Sequence, residues 1–268
     1  MLRQGNGETY MADHPLLIME IRESVAWLTF NRPQALNALD VELAHLFLAA
    51  CRAISRNADT RAVVLQGNGR SFMAGGDIAM MSAQPERVIA DLIEPIHEGL
   101  ALLSEIDAPV VASVKGAIAG AGVSMLLGAD MVIASETARI NTAYSRIGAS
   151  GDLGITWTLP RIVGLTRAMD LMLRPRTIDA TEALALGMVS VVVTEDDLPQ
   201  RTEELARQLA TGPTKAYGHI RRLLRQGATR SFTEQLVSEA AAFDECLASD
   251  EMRTALKAFL EKKPPNHQ

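Results

Sequence analysis

The chain has 268 residues, of which 48% are hydrophobic and 22% charged, and a formal net charge of -6. This composition is ordinary for a soluble enzyme and excludes a disordered or fibrous protein. The mild acidity, without a long Lys/Arg block, gives no reason to expect nucleic acid or an anionic membrane as a partner. No window approaches the ~18 apolar residues of a membrane span. The first fifteen residues lack a signal-peptide core, so we expect a cytoplasmic protein.

The first predicted elements follow a short polar N-terminus. Residues 1–14 are predicted to be a disordered tail. Two strands are then predicted over 16–21 and 24–30, and an amphipathic helix over 41–57. Asp40 is in the position of a helix N-cap, because its side chain can accept a hydrogen bond from an unpaired amide of the first turn.

Strands and helices alternate in the next part of the chain. Strands are predicted over 61–66, 109–114 and 131–134, and helices over 85–106, with a kink or a new start at Pro95, and over 123–128. This alternation predicts parallel βαβ units, whose strands end at a common edge of the sheet. Two loops at this edge are rich in glycine, at 71–77 and 116–122.

From residue 155 onward the periodicity is almost entirely helical. Asp179 and Glu182 have the spacing of a capping box for a short helix that ends at Gly187. A strand over 188–193 and four more helices follow, at 196–210, 213–227, 231–247 and 250–261. We therefore expect an α/β core over 15–195 and a helical C-terminal region over 196–268 that makes subunit contacts.

The two glycine-rich loops are candidates for binding a negatively charged oxygen. Glycines allow main-chain amides to approach a ligand closely, and amides at a helix N-terminus are unpaired and carry positive partial charge. The alternative is that small residues only let a helix pack closely on the sheet. No nucleotide-binding glycine motif and no metal-ligand cluster fit the chain, and Ser124 lacks the flanking residues of a nucleophile elbow.

Few titratable residues are candidates for chemistry. Asp152, in a flexible loop before an apolar helix, is either a helix cap or a catalytic base or nucleophile. His97 borders an apolar helix stripe, where a histidine is often structural, and Tyr144 can either pack or form a hydrogen bond. Cys51 and Cys246 are far apart and in helical surroundings, which indicates two buried thiols.

Five segments, in this order, resemble the crotonase superfamily (the enoyl-CoA hydratase/isomerase family). They are Asn31-Arg32-Pro33 with 35–39, then 72–77, 109–122, 159–164 and 183–189. The resemblance implies a crotonase-like spiral of ββα units with a helical C-terminal trimerisation region. It also implies a homotrimer or a dimer of trimers that acts on acyl-CoA thioesters, as in fatty acid metabolism. Coenzyme A then enters as part of the substrate, and we expect no separate cofactor and no metal.

The resemblance also assigns site residues. An oxyanion hole falls on the amides of Gly76 and Ala121, and such preorganised donors stabilise the charge that a thioester oxygen gains in the transition state. The adenine and pantetheine path is expected along Ala35, Leu36, Ala74, Gly75, Gly76, Asp77, Ile78 and Tyr144.

The two glutamates of the family's hydratases fall at Ser124 and Tyr144, which carry no carboxylate. Hydration by the two-glutamate mechanism is therefore not expected. Asp152 instead matches an aspartate found in the isomerase and 4-chlorobenzoyl-CoA dehalogenase branches, and His97 matches a histidine of the dehalogenases. The dehalogenases have a tryptophan that orients this aspartate, where this chain has Tyr144.

Three hypotheses follow, from different classes of function. The first is an isomerase-like enzyme that uses Asp152 as acid and base on an enolate bound by Gly76 and Ala121. The second is a dehalogenase-like hydrolase with Asp152 as nucleophile and His97 as base. The third is a CoA-binding protein without catalytic activity.

Overall fold

The structure is a computed structural model that describes residues 2–5, 8–11 and 15–262. Its strands are β1 (Leu2–Gly5), β2 (Glu8–Met11), β3 (Leu17–Arg22), β4 (Val25–Phe30), β5 (Ala62–Gly67), β6 (Val110–Val114), β7 (Ala117–Ala119), β8 (Met131–Ser135), β9 (Arg139–Asn141), β10 (Ile178–Asp179) and β11 (Val191–Val193). Within the described residues they form one sheet in the order β1-β2-β3-β4-β5-β6-β8-β11 and a small sheet in the order β10-β9-β7.

The central strands of the large sheet are parallel, as the alternation of strands and helices predicts. β4, β5, β6, β8 and β11 run in the same direction, and β3 joins β4 as an antiparallel neighbour. Val, Leu and Ala dominate these strands because both faces of a parallel sheet are covered. β5 and β6 therefore end at the same edge, and each is followed by one of the glycine-rich loops.

The N-terminal tail differs in part from its prediction. Two segments of the predicted disordered tail form β1 and β2, and β2 pairs with β3 through Thr9 and Tyr10. Residues 1, 6–7 and 12–14 of that predicted tail lie outside the described residues.

The helices agree closely with the predicted periodicity. They are α1 (Val41–Ser55), α2 (Ile78–Ala83), α3 (Glu94–Glu105), α4 (Ala121–Gly128), α5 (Ile155–Val163), α6 (Leu165–Leu173), α7 (Ala180–Ala185), α8 (Leu198–Ala210), α9 (Thr214–Gly227), α10 (Phe232–Leu247) and α11 (Asp250–Leu260). Pro95 lies in the first turn of α3, and the preceding residues Val88–Ile93 are wound as a π-helix. The long helix predicted over 85–106 is thus divided at the proline.

Two caps can be compared with their predictions. Asp40 caps α1 by accepting a hydrogen bond from the Leu43 amide at 2.8 Å. Asp179 caps α7 through the Glu182 amide at 2.8 Å, but the Glu182 carboxylate pairs with Arg176 instead of completing a capping box. A nearby arginine outcompetes the backbone amide for this carboxylate because a charge-assisted hydrogen bond is stronger.

The larger part of the core lies between the sheet and the helices α1, α3 and α4. α1 contributes Phe47, Cys51 and Ile54, which are all buried. Burial raises the pKa of the Cys51 thiol, so this cysteine behaves as a small apolar residue. Both cysteines are free thiols as predicted, although Cys246 is only partly buried.

The opposite face of the parallel sheet is covered by α8. Leu198, Ala206 and Ala210 of this helix pack on a cluster formed by Val25, Trp27, Val64, Val111 and Ile133 of the strands. Ser113 on β6 and Thr202 on α8, both buried, share a hydrogen bond of 2.8 Å. α8 is therefore part of the α/β core, although the sequence analysis assigns it to the helical C-terminal region.

α9 is fixed to the core by arginines. The side chain of Arg221 is 6% exposed and donates to Asp130 at 2.6 Å and to the Leu103 carbonyl at 2.9 Å. Arg225 donates to the other Asp130 carboxylate oxygen at 2.8 Å and to the Gly128 carbonyl at 3.2 Å. Because the last carbonyls of α3 and α4 have no partner in their own helices, these arginines act as C-caps supplied by another helix.

Candidate active site

The glycine-rich loop after β5 is held from inside by one buried amide. The side chain of Asn37 donates to the carbonyls of Ser71 at 2.8 Å, Asn68 at 3.0 Å and Phe72 at 3.1 Å. Its Oδ1 accepts from the Arg32 amide at 2.8 Å. Asn37 is fully buried and has a φ of +58°, which asparagine tolerates better than most residues. The sequence motif that contains Asn37 does not predict this role.

The same loop lies against the second glycine-rich loop. The Leu39 amide donates to the Gly75 carbonyl at 2.8 Å, and the Ala119 amide donates to the Met73 carbonyl at 3.0 Å. Gly75 has a φ of +102°, and a Cβ there would lie 3.2 Å from the Ala119 carbonyl oxygen and 3.8 Å from the Ala121 nitrogen. Gly75 is thus a position where both the backbone angle and the close approach of the loops favour glycine.

The two predicted oxyanion-hole amides are adjacent in this arrangement. Gly76 follows Gly75, and Ala121 is the first residue of α4. Among the residues that the structure describes, no oxygen accepts a hydrogen bond from either amide. Gly122 allows α4 to start here, because a Cβ at that position would lie 2.2 Å from the Met73 carbonyl oxygen. Unpaired amides on neighbouring loops, one of them at a helix N-terminus, can together hold a negatively charged oxygen.

Asp152 lies next to α4, within the same site. Its carboxylate accepts a short hydrogen bond from the Tyr144 hydroxyl, and its backbone carbonyl accepts one from Ser124 Oγ at 3.1 Å. Ser124 and Tyr144 share a hydrogen bond of 2.8 Å. Ser124 is three residues after Ala121 in α4, which corresponds to about 4.5 Å along the helix axis. The structure therefore brings Asp152 close to the predicted oxyanion hole.

Tyr144 is buried beside Asp152, and its place in the CoA path stays a prediction. Burial raises its pKa, and so does the nearby charge of Asp152. The phenol therefore stays protonated and donates its hydrogen to the carboxylate. Its hydrogen-bond partners within the described chain, Ser124 and Asp152, assign it to the region around the aspartate.

His97 also lies beside Asp152, without touching its carboxylate. His97 Nε2 accepts a hydrogen bond of 3.2 Å from the amide of Leu153, the residue that follows Asp152. A neutral imidazole has one acceptor nitrogen, so the proton must be on Nδ1 in this arrangement. The only basic nitrogen of His97 is thus already used by the backbone.

The predicted CoA path begins where the segment around Leu36 meets the glycine-rich loop. The Ala74 amide donates to the Leu36 carbonyl at 3.0 Å, which joins the two segments. Ala35 is partly exposed, and Ile78, the first residue of α2, is 53% exposed. These residues border the loop that carries Gly76, and that they form an opening for coenzyme A stays a prediction.

An arginine connects the helix caps at this opening. Arg32 forms ion pairs of 3.2 Å with Asp40, the cap of α1, and with Asp77, the cap of α2. The Asp77 pKa is lowered, mainly by the hydrogen bond from the Met80 amide and also by Arg32. The Asp77 carboxylate is therefore occupied as a cap, and its backbone is occupied too, because its amide donates to the Leu39 carbonyl at 2.8 Å and its carbonyl accepts from the Met81 amide at 2.9 Å.

A second depression, of about 1060 Å³, lies between α3, α5 and α9. His97, Leu153 and Trp157 line one end of it, and Arg221 and Arg225 line the other. It does not include Gly76, Ala121 or Asp152. The two predicted oxyanion-hole amides and Asp152 therefore lie outside this lining, whereas His97 is part of it.

Two other kinds of site were also considered. Within residues 2–5, 8–11 and 15–262, no cluster of three His, Cys, Asp or Glu side chains could hold a metal ion. In the same part of the chain, no helix is both long and apolar enough to cross a bilayer.

Comparison with known proteins places this site in a family. The model of the enoyl-CoA hydratase/isomerase family matches residues 20–268. A probable enoyl-CoA hydratase of Rhodobacter capsulatus is 36% identical, over 92% of this chain and 95% of the relative. The 1,2-epoxyphenylacetyl-CoA isomerase of Escherichia coli is 35% identical, over 93% and 97%. A 4-chlorobenzoyl coenzyme A dehalogenase of Arthrobacter is 32% identical, over 92% and 95%.

The fold is also similar to that of solved structures from this family. The crystal structure of a putative enoyl-CoA hydratase/isomerase from Mycobacterium abscessus superimposes with a TM-score of 0.87 at 33% identity. The alignment covers 97% of this chain and 98% of that one. The predicted crotonase-like fold is confirmed by this similarity and by the family match.

Proposed function

Because the chain belongs to the enoyl-CoA hydratase/isomerase family, we propose that it isomerises an acyl-CoA thioester through an enolate. The amides of Gly76 and Ala121 hold the enolate oxygen, and Asp152 moves the proton. The observation that carries this proposal is that Asp152 bonds to Ser124 of α4, the helix whose first amide, that of Ala121, has no acceptor within the described residues. Coenzyme A enters as part of the substrate, along the opening formed by Ala35, Leu36, Ala74 and Ile78.

The amides contribute through electrostatics. When a proton leaves the carbon next to a thioester carbonyl, negative charge collects on the carbonyl oxygen. Two preorganised donors stabilise that charge more than they stabilise the neutral ground state, and loss of one such donor costs about 3 kcal/mol. A site built in this way favours reactions that pass through an enolate.

Asp152 then acts as both base and acid. Its carboxylate takes a proton from one carbon of the substrate and returns it to another, which shifts a double bond and leaves no net change in protonation. A mechanism of this kind needs one carboxylate. Ser124 and Tyr144, the two side chains packed around Asp152, offer hydroxyl groups only, so a second carboxylate to activate water is missing from this cluster.

Dehalogenase-like hydrolysis is the second candidate, since His97 and Asp152 are adjacent and two named dehalogenases share 32% identity with this chain. In that reaction Asp152 would attack the ring and His97 would activate water against the ester. The hydrogen bond from the Leu153 amide occupies the basic nitrogen of His97. This contact favours isomerisation over hydrolysis.

The test is a mass-spectrometric screen of aliphatic and aromatic acyl-CoAs in heavy water. We expect deuterium incorporation or isomerisation with at least one of them. Asp152→Asn should reduce the rate by about 10²–10⁴-fold, the usual contribution of a positioned acid or base, while acyl-CoA binding persists. Asp59→Asn, in an exposed turn, is the matched control and should have the activity of the unaltered protein.

Three results would contradict the proposal. Full activity in Asp152→Asn would remove the aspartate from the chemistry. Chloride release from 4-chlorobenzoyl-CoA, without proton exchange on any thioester, would support the second candidate instead. Saturable acyl-CoA binding without turnover of any compound would indicate a binding protein.

We propose that the chain assembles as a homotrimer or a dimer of trimers. Apolar side chains recur along the outer face of α6, at Leu165, Met169 and Leu173, with the four-residue spacing of a helix stripe. α10 exposes a comparable set: Phe232, Leu236, Val237, Phe243 and Leu247. Exposed apolar surface of this extent usually marks an interface.

A further inference from the structure

The peptide group between Asp152 and Leu153 is held at both of its polar ends by side chains. Its carbonyl oxygen accepts from Ser124 Oγ at 3.1 Å, and its N–H donates to His97 Nε2 at 3.2 Å. Ser124 comes from α4 and His97 from α3, so two helices fix one peptide. Leu153 has a φ of +49°, which is unfavourable for a leucine, and these contacts help to hold it there.

The carboxylate of Asp152 is fixed as well. The Tyr144 hydroxyl has one hydrogen, and because a carboxylate can only accept, that hydrogen must go to Asp152 Oδ1. Ser124 is fully buried, and its Oγ lies 2.8 Å from the Tyr144 oxygen and 3.1 Å from the Asp152 carbonyl oxygen. Both oxygens accept here, so the one hydroxyl hydrogen of Ser124 is shared between the backbone of Asp152 and, through Tyr144, its side chain.

We propose that Ser124, Tyr144 and His97 are positioning residues that clamp Asp152 and leave Oδ2 as its reactive oxygen. This inference rests on the proposed role of Asp152 as acid and base. In the proton transfer, a C–H bond of the substrate breaks, Oδ2 gains the proton, and the electron pair moves into the enolate. Return of the same proton to another carbon restores the carboxylate. Throughout the cycle Oδ1 keeps its hydrogen bond from Tyr144.

The clamp assigns His97 a role that needs no proton transfer. Its Nε2 serves as a hydrogen-bond acceptor for the backbone, so a side chain with an acceptor at a similar distance can replace it. Glutamine has such an acceptor in its carbonyl oxygen, and alanine has none. A histidine that acts as a base cannot be replaced by either residue.

The titratable groups that face Asp152 are Tyr144, from the turn before it, and His97, from α3. Arg161, on the helix that follows, stacks over Trp157 at 4.1 Å instead. His97→Gln keeps an acceptor for the Leu153 amide but has no ionisable ring. The contribution of Tyr144 can therefore be measured with and without an ionisable group at residue 97.

The first test uses the free protein labelled with ¹³C at the aspartate carboxyl carbons. The Asp152 signal is identified by its loss in Asp152→Asn. Tyr144→Phe removes a hydrogen bond to this carboxylate, so the chemical shift of this signal should change. Ser124→Ala should move it in the same direction by less. Tyr217→Phe, the same change on α9, should leave it in place.

The second test measures turnover of the acyl-CoA that the heavy-water screen identifies. Tyr144→Phe should lower kcat roughly tenfold to a hundredfold, with little change in KM. The same loss should appear in a His97→Gln background. His97→Ala should lose activity, and His97→Gln should recover most of it.

Different results would overturn the two proposals. An unchanged Asp152 carboxyl signal in Tyr144→Phe contradicts the clamp, as does a His97→Gln variant that is as inactive as His97→Ala. Full turnover by Asp152→Asn contradicts the proposed function itself. The carbon spectrum needs no substrate, so it decides the role of Tyr144 even if every thioester in the screen is left unchanged.

Discussion

Asn37 controls the shape of the glycine-rich loop after β5 through direct hydrogen bonds. Its amide nitrogen satisfies carbonyls of Asn68, Ser71 and Phe72, and its own backbone has a φ of +58°. Buried carbonyls that lose their donor carry the full cost of desolvation. The conformation of 68–77, and with it the direction of the Gly76 amide, therefore depends on a residue that no substrate needs to touch.

Two substitutions separate the backbone role of Asn37 from its amide role. Asn37→Ala should lower the free energy of unfolding by about 1–3 kcal/mol, because it leaves buried carbonyls without a donor. It should lower it by about 1 kcal/mol more, because alanine is strained at positive φ. Asn37→Gly removes only the amide and should be the more stable of the two. Chemical denaturation measures both, with Asn57→Ala in a surface turn as control. Equal stability of the glycine and alanine variants would show that positive φ carries no cost here.

For single residues, the sequence predicts which positions belong to the candidate site better than it predicts their hydrogen bonds. Gly76, Ala121, Asp152 and His97 could be assigned because the order of the motifs matches a family. The hydrogen bonds of Tyr144 could not, since they depend on how the turn before Asp152 packs against α4. An asparagine in an apolar segment such as 35–39 is a signal that could have indicated the role of Asn37.

At the scale of elements, the contact between α9 and the core depends on buried charge. Asp130 accepts hydrogen bonds from Arg221, Arg225 and the Val110 amide. The arginines also bond to carbonyls at the ends of α3 and α4, so one cluster joins three helices and a strand. Breaking a buried pair by removing one partner leaves a charge and several carbonyls unsatisfied.

Arg221→Met is expected to loosen α9 without unfolding the sheet. The loss should be about 3 kcal/mol, because the methionine fills part of the volume but donates no hydrogen bond. Hydrogen exchange followed by mass spectrometry should show faster exchange in α9 to α11 than in β4 to β8. Arg207→Met, which removes an exposed pair on α8, should leave this pattern unchanged. Uniform acceleration of exchange over the whole chain would contradict the expected local effect.

The positions of helices and strands follow from the periodicity of the sequence. The side chains that hydrogen-bond to the helix ends do not follow from it. The predicted bounds of α8 to α11 are within two residues of those observed, because amphipathic repeats and caps are local properties. The capping box was expected at Asp179, and the structure has one at Ser231 with Glu234. Arg176 binds the Glu182 carboxylate and so prevents the capping box at Asp179. Its proximity to Glu182 depends on β10 and the tertiary fold.

At the scale of the whole molecule, the sequence divides the chain after residue 195, where the strands end. The structure keeps α8 with the sheet, because the apolar residues of β4, β5, β6 and β8 on that face need a cover. Periodicity shows that α8 has an apolar face but does not show which surface receives it. The helices α10 and α11, by contrast, leave large apolar side chains exposed.

The proposed assembly can be tested directly. Native mass spectrometry at micromolar concentration should show three or six copies of the chain. Val237→Glu, on the exposed face of α10, should shift the population toward monomer, because it places a charge where apolar surface is expected to be buried. Gln200→Glu on α8 is the control and should keep the assembly. A monomer in the unaltered protein would contradict the proposal.

The position of α8 in the chain has a consequence for biosynthesis. The strands that it covers are complete once β8 has been made, but the cover itself extends to Ala210. A ribosome that adds about 5–20 residues per second leaves this apolar face open for several seconds, in addition to the time that the exit tunnel takes. During that interval Trp27, Val64 and Ile133 face the solvent or a chaperone. The nascent chain is therefore most prone to aggregation between the emergence of β8 and that of α8.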